Sequence, residues 1–496
     1  MFKTNVKQGV SPFQSWMPVI LTLWVAWFLL IQRLGGPSFW IDEMLSFNRA
    51  SLGDWQSFYA ELLGANHAPL YEGAFLHPWL LLGDGEFWAR FPGVLLAMLT
   101  VGLTYRLGRQ ANGVQTGILG IIFLVFSPLF FQHVREVRPY SLLVLTVTLT
   151  VYFWWRAVRS GRYLFWMLFT LSGAASLYTH YYAGFALMGI GVTTLVAKVL
   201  LKLPWRRVYQ AAFAFVGIAL LFLPWLPTFL AQLQSGAVSW IPPLSLWTFF
   251  ELPAFFFAHT LFTDTVWSGI VVVTWLLFLA AFILLWQSQQ QRKPLLILLA
   301  LFFFSFLAVA LASLQKPLMV PRYFVSLSPI VALISAYTIV WLVAQKKAPF
   351  LIIPIGLLIV GGYSVYKLTY LDRTPPWRSA ALYIEEMAEP GDKVVLFSGH
   401  TGGAYLPLQY YLGESWPILT NDESLEDQGA VDVTLAGLAP ARRVWLIQST
   451  RKTPSRSLNY QPNVTYGPYV LESRKVFDEL AIKPHLSVDL WLLVLE

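Results

Sequence analysis

Phe39-Trp40-Ile41-Asp42-Glu43 follows the first long apolar run of the chain and sets two adjacent carboxylates immediately beyond a segment suited to lipid. The run before it, residues 17–34, is long enough to span a bilayer. No A-x-A cleavage signal follows, so it reads as a retained helix rather than a signal peptide. Charge beside hydrocarbon is costly, and ionisable residues placed there are functional candidates by default. Composition agrees: 57% of the 496 residues are hydrophobic and 12% are charged, against about 25% charged in soluble domains. The chain therefore reads as an integral membrane protein. Its 26 acidic residues are few enough that a side-by-side pair needs a reason.

A span needs about 20 predominantly apolar residues, and eleven stretches qualify, near 17–34, 87–107, 114–131, 140–157, 163–180, 181–201, 209–230, 266–286, 294–313, 322–344 and 349–368. Lys and Arg collect on the cytoplasmic side of membrane proteins. With Lys3 and Lys7 inside, Arg106 and Arg109, Arg156 to Arg162, Lys198 to Arg207, Arg292 and Lys293, and Lys346 and Lys347 fall inside as well. All ten acidic residues before position 371 fall outside. This predicts a multi-pass protein of a plasma or inner membrane with a cytoplasmic N-terminus and an extracytoplasmic C-terminal segment.

From 371 onward the character changes, with 16 acidic and 11 basic residues. Helical spacing over 380–388, a turn at Pro390-Gly391-Asp392, and strand patterns over 393–397, 443–448 and 490–495 predict a small α/β unit. The expected architecture is an all-α polytopic membrane domain over 1–370, with about eleven transmembrane helices, and a small soluble α/β domain over 371–496. The net charge of +8 is scattered over helix ends rather than gathered in a stripe, which argues against a nucleic-acid partner. The absence of cysteine excludes disulfides, thiolate catalysis and Cys-ligated metal.

The first outer loop, 39–86, is too long for a mere connection. Leu45, Phe47, Leu52, Trp55, Phe58 and Leu62 recur at helical spacing and predict short amphipathic helices in the interface plane. Further along stand His67-Ala-Pro-Leu-Tyr71, Glu86 with Arg90 and Pro92, Arg135-Glu136-x-Arg138-x-Tyr140, Tyr178-Thr179-His180-Tyr181 and Pro321-Arg322-Tyr323. Together with Asp42-Glu43, these stretches resemble, in order and spacing over residues 1 to about 345, the glycosyltransferase family 39 and aminoarabinose-transferase group, which are membrane glycosyltransferases of the GT-C class. Glu72 departs from the pattern, standing where an aromatic residue is more usual after Tyr71. The resemblance implies the GT-C fold and transfer of a monosaccharide from a polyprenyl-phosphate donor to an acceptor on the extracytoplasmic face. It also implies that Asp42 corresponds to the essential loop aspartate of the family.

The residues suit that chemistry in their own right. Sugar transfer from a lipid phosphate needs a base for the incoming hydroxyl or amine and cationic stabilisation of the departing phosphate. Asp42 is the candidate base; Glu43 would orient it, contact the acceptor or help bind a metal. Alternatively the pair serves only to begin an interfacial helix. Arg138, Arg322 and Arg135 are candidates for gripping phosphate, as guanidinium groups do bidentately; snorkelling to headgroups or pairing with Glu136 is the ordinary alternative. His67 is placed with the donor phosphate, and Tyr71, His180, Tyr181 and Glu136 with the substrate, Glu136 more as a holder of Arg135 or Arg138; for His67 and His180 the ordinary alternative is hydrogen bonding at an interface. His133 and His259 carry no assigned role. Histidine with carboxylate leaves a divalent metal open, but no H-E-x-x-H spacing supports one. A single carboxylate base without a nucleophile partner points to inversion. The acceptor, whether lipid, glycan or protein, is not encoded in any motif. The competing class is a lipid or solute transporter or flippase, which normally needs ionisable groups within the bilayer, and the long runs here carry essentially none.

Overall fold

The structure, a computed structural model, describes residues 12–64, 68–234, 241–259, 262–287, 292–371, 374–397, 405–421, 428–438, 441–449, 465–466, 469–477 and 488–495. Among them, eight helices are long and apolar enough to cross a membrane: Gly85–Asn112, Tyr140–Ser160, Ala183–Leu200, Trp205–Gln234, Asp264–Ile283, Lys293–Ala312, Pro321–Ala344 and Ala348–Tyr370. The protein is thus a multi-pass membrane protein. The other three expected spans are also helical but shorter. Trp16–Ile31 and Val114–Val125 are short apolar helices, and Tyr163–Thr179 has 17 residues. Val114–Val125 stops early because Pro128, which has no N–H and constrains the residue before it, opens a separate helix, Pro128–His133, behind an extended Ser127.

Two compact units emerge. The first comprises Met1–Gln32, Arg49–Leu82 and Arg90–Val365. Its interior is built on Tyr140–Ser160 and Pro321–Ala344, which are 83% and 78% buried, whereas Trp205–Gln234 is 17% buried and exposes Phe213, Val216 and Leu220 as a lipid-facing helix would. Polar side chains in the interior bond within the unit, as hydrocarbon surroundings demand. Thr146, Thr148 and Thr150 donate to carbonyls four residues back, and Trp154 donates to Thr194 at 2.9 Å. Gly93 permits one close approach: a Cβ there would lie 2.5 Å from the Val134 carbonyl oxygen, so only glycine lets its helix pass the turn leading into Tyr140.

The second unit joins Tyr366–Glu496 with Arg33–Asn48 and Gly83–Ala89. Its strands are β1 (Lys393–Phe397), β2 (Ile418–Asn421), β3 (Arg443–Ser449), β4 (Thr465–Tyr466), β5 (Tyr469–Phe477) and β6 (Val488–Leu495). They form one sheet in the order β2-β1-β3-β6-β5-β4. β1 is parallel to β2 and β3, and the remaining pairings are antiparallel. Alternate residues along a strand face opposite sides, so Val394 and Leu396 pack with the helix Trp377–Met387 and with Leu408 and Leu412. Val395 and Phe397 pack with Val431 and Leu435. Helices thus cover both faces, which explains why β1 reads as a continuous apolar run.

Candidate functional site

Asp42 and Glu43 lie in the first turn of the helix Ile41–Ala50, past the capping position, where carboxylates meet the positive end of the helix dipole. Glu43 is 1% exposed, and Asp42 is the more accessible of the two. The chain entering this helix is held by the C-terminal part of the second unit. The Phe39 amide donates to the Tyr411 hydroxyl at 2.8 Å, and that hydroxyl donates to Glu86 at 2.6 Å. Arg378 donates to Glu86 through Nε at 2.9 Å and to the Gly35 carbonyl at 3.1 Å. Thr374 donates to the Ser38 carbonyl at 2.8 Å. The Phe39 ring packs on Phe47 and Tyr410, and Ile41 packs against the apolar cluster on one face of the sheet.

Within the first unit, three distant segments of sequence converge. Arg138 and Tyr140 stand where the span Tyr140–Ser160 begins, Arg322 and Tyr323 where Pro321–Ala344 begins, and His180 and Tyr182 in the turn between Tyr163–Thr179 and Ala183–Leu200. Both arginines therefore occupy N-terminal ends of the two most buried spans, where the helix dipole favours anions. The His180 ring lies 5.9 Å from Tyr140, 5.5 Å from Tyr182 and 5.2 Å from Tyr323, and Tyr182 lies 4.3 Å from Tyr323. The guanidinium of Arg138 stands 6.0 Å from the Tyr140 ring and that of Arg322 5.5 Å from Tyr323. The Tyr182 hydroxyl donates to the Leu318 carbonyl at 2.6 Å, which ties the turn to the segment carrying Arg322.

His180 keeps part of its surface open but is enclosed by three aromatic rings. That enclosure, then the Arg138 charge, then Arg322, hold its imidazole down at about 3, so the ring is neutral at ordinary pH. Its Nδ1 accepts from the Tyr182 amide at 3.3 Å, which assigns the proton to Nε2. Burial pushes the Tyr182 hydroxyl well above the usual phenol range. Two guanidinium groups, a neutral imidazole donor and tyrosine hydroxyls form a constellation suited to a phosphorylated ligand.

The other expected residues are distributed differently. Arg135 stacks over Phe131 at 4.4 Å and donates to the Gln32 carbonyl, which gives it a place in packing. Glu136 accepts from His133 Nδ1 at 2.9 Å and from Gln132 at 3.3 Å. Tyr181 turns to Gln232 and Trp225, at 2.5 and 2.9 Å, rather than into the ring cluster. Tyr71 is buried in the π-helix Leu70–Leu76, a rare form frequent at functional sites. The departure at Glu72 has a physical reason: Glu72 receives two hydrogen bonds from buried Arg49, at 2.8 and 2.9 Å, an ion pair an aromatic residue could not make. His67 lies outside the described residues. Among the described residues, no group of three or more His, Asp or Glu side chains gathers to hold a metal ion.

One cavity of about 250 Å³ adjoins this cluster, lined by Gln132, His133, Phe255, His259 and Arg322 among others. Sequence reasoning passed over His133. The three-residue spacing to Glu136, on which it could have been found, is that of neighbours on a helix face.

Comparison with known proteins bears on the fold. Residues 67–228 match the family model described as dolichyl-phosphate-mannose-protein mannosyltransferase. An uncharacterized protein of Aquifex aeolicus (strain VF5) is 33% identical over 109 residues, 22% of this chain and 22% of that protein, so the match spans about a fifth of the relative's length. Among solved structures, ArnT from Cupriavidus metallidurans bound to undecaprenyl phosphate superposes with a TM-score of 0.55 at 14% identity, covering 97% of this chain and 98% of that one. The same protein in the apo state superposes with a TM-score of 0.54 at 14% identity, with the same coverage of both chains. At that identity the likeness is one of fold.

Proposed function

We propose that this chain, which has the GT-C fold and a segment matching the mannosyltransferase family model, is a glycosyltransferase that moves a monosaccharide from a polyprenyl-phosphate donor to an acceptor on the extracytoplasmic face. The observation that carries the proposal is the convergence of Arg138 and Arg322 with His180, Tyr140, Tyr182 and Tyr323 at the ends of buried helices. That cluster supplies fixed positive charge and hydrogen-bond donors for a lipid-borne phosphate, and a structural neighbour of the same fold is bound to undecaprenyl phosphate. The N-terminus is cytoplasmic, in keeping with the distribution of basic and acidic residues.

In the reaction, Asp42 takes the proton from the acceptor's hydroxyl or amine. The acceptor attacks the anomeric carbon in one displacement that inverts its configuration. The bond from that carbon to the phosphate oxygen breaks with its electron pair passing to the phosphate, whose charge Arg138 and Arg322 stabilise. Glu43, buried beside Asp42 in the same helical turn, orients the base. His180 acts as a neutral hydrogen-bond donor, since its depressed basicity bars it from taking the proton itself. The acceptor is a lipid, a glycan or a protein.

The test is binding of undecaprenyl phosphate to the purified protein in detergent. Saturable binding that weakens tenfold or more in Arg138→Ala and in Arg322→Ala is expected, a loss of about 1.4 kcal/mol or more in each. Equal binding by wild type and both variants would remove the phosphate assignment.

A further inference from the structure

We infer that His133, held by Glu136, is the general acid that protonates the departing polyprenyl phosphate; this rests on the transferase reading above. His133 is 8% exposed and sits at the end of the short helix Pro128–His133, where it lines the cavity of about 250 Å³ that Arg322 also lines. That volume is many times the share of one water, about 30 Å³. Leu129, Phe255, Ala258 and Val320 form the apolar part of its wall, and Gln132 and His259 add to the polar part.

The hydrogen bond at 2.9 Å from His133 Nδ1 to Glu136 fixes the ring by its inner nitrogen. Glu136, 4% exposed, has its second oxygen engaged by Gln132 at 3.3 Å. The carboxylate is therefore a positioning residue: it sets the tautomer and balances the charge of a protonated ring. Nε2 is left as the atom that carries the transferable proton. The groups facing His133 are Glu136 and Tyr140, whose ring is 5.3 Å away, on its own stretch, Arg322 from the turn Pro321–Leu327, and His259 from the segment after Leu252–Phe256. The helix Val114–Val125 contributes no titratable side chain.

The step balances. As the bond between the anomeric carbon and the phosphate oxygen breaks, the electron pair goes to that oxygen, and the Nε2 proton of the His133 imidazolium transfers to it. The ring is left neutral. The proton that Asp42 took from the acceptor returns to the ring through solvent, and polyprenyl hydrogen phosphate is released. Arg322 grips the phosphate but cannot donate a proton, so the two side chains that share the cavity divide the work.

The test measures transfer of radiolabelled sugar from polyprenyl-phosphate donors over a series of pH values, for wild type, His133→Gln and Glu136→Gln. Wild type is expected to lose kcat on the alkaline side. His133→Gln should lower kcat by about a hundredfold or more, leave KM for the donor within about twofold, and abolish the alkaline limb. Glu136→Gln should retain the limb but displace it. A structural role would instead depress kcat at every pH with the limb intact. Wild-type kcat in His133→Gln, an intact limb in it, or no alkaline limb in wild type would overturn the inference. Should His133→Gln fail to fold, the wild-type limb and its displacement in Glu136→Gln decide the matter, and an undisplaced limb overturns it. A wild type that transfers nothing from any polyprenyl-phosphate donor would overturn the transferase reading and this inference together, whereas the outcomes above strike the inference alone.

Discussion

The turn at His180 and the helix end at His133 each set a histidine ring against Tyr140, at 5.9 and 5.3 Å, yet their surroundings are opposite. His180 is enclosed by tyrosines, and that burial, with the charges of Arg138 and Arg322 adding to it, holds its imidazole down at about 3. His133 has a carboxylate on its inner nitrogen. Side chains of one type, both in contact with one tyrosine, thus become a fixed neutral donor in one place and a candidate proton carrier in the other. The difference lies in what surrounds each ring: an aromatic enclosure beside two guanidinium groups for His180, and a carboxylate on the inner nitrogen for His133. The first outer loop adds a third case, in which Glu72 is paired with Arg49. That partner never loses its proton, so the pair can serve only as a lock.

Breaking the lock should have the largest effect. Glu72→Ala leaves the Arg49 guanidinium buried without its carboxylate and should cost about 3–5 kcal/mol, seen as a large fall in unfolding midpoint in detergent; an unchanged midpoint would show that the pair adds nothing. Acidification comes next. The unfolded His180 takes up its proton near its ordinary value of 6.5, whereas the folded ring does so only at about 3. Between those values the unfolded chain binds the extra proton, so this contribution to stability is present above about 6.5 and is lost as pH falls towards 3. His180→Asn should flatten that slope, which unfolding midpoints at a series of pH values would register. The smallest effect belongs to Tyr411→Phe, which removes the hydrogen bonds linking the Phe39 amide and Glu86. A loss of about 1 kcal/mol per bond is expected in the same assay, with undecaprenyl phosphate binding unaltered.

Most of the fold could be read from the sequence because hydrocarbon imposes long apolar runs. Each of the eleven expected stretches is helical, although three fall short of the length or apolarity of a span. Strands β1, β3 and β6 appear at the expected places, because strands in the middle of a covered sheet are apolar on both sides. β2, with its more exposed pattern, and β5, with polar residues from Glu472 to Lys475, gave no such signal. In the candidate site, Arg138, Arg322 and His180 were legible from motifs. Their meeting was not, since it brings Arg322 to residues 142 and 184 positions before it in sequence. Arg135 and Tyr181 belong to the same motifs as Arg138 and His180 yet face other neighbours, Gln32 and Phe131 for the one and Gln232 and Trp225 for the other, because successive residues on a helix or turn point in different directions. The hold on Phe39 by Tyr411 could not be foreseen either, because the two stand 372 positions apart.

The most direct measurement of the central claim is transfer of radiolabelled sugar from polyprenyl-phosphate donors by purified wild type and Asp42→Asn, with equal unfolding midpoints as the control for folding. Transfer by wild type, lost in a well-folded Asp42→Asn, is the predicted result. Equal transfer by both proteins would contradict the assignment of Asp42 as base, and no transfer by wild type from any such donor would contradict the transferase account as a whole.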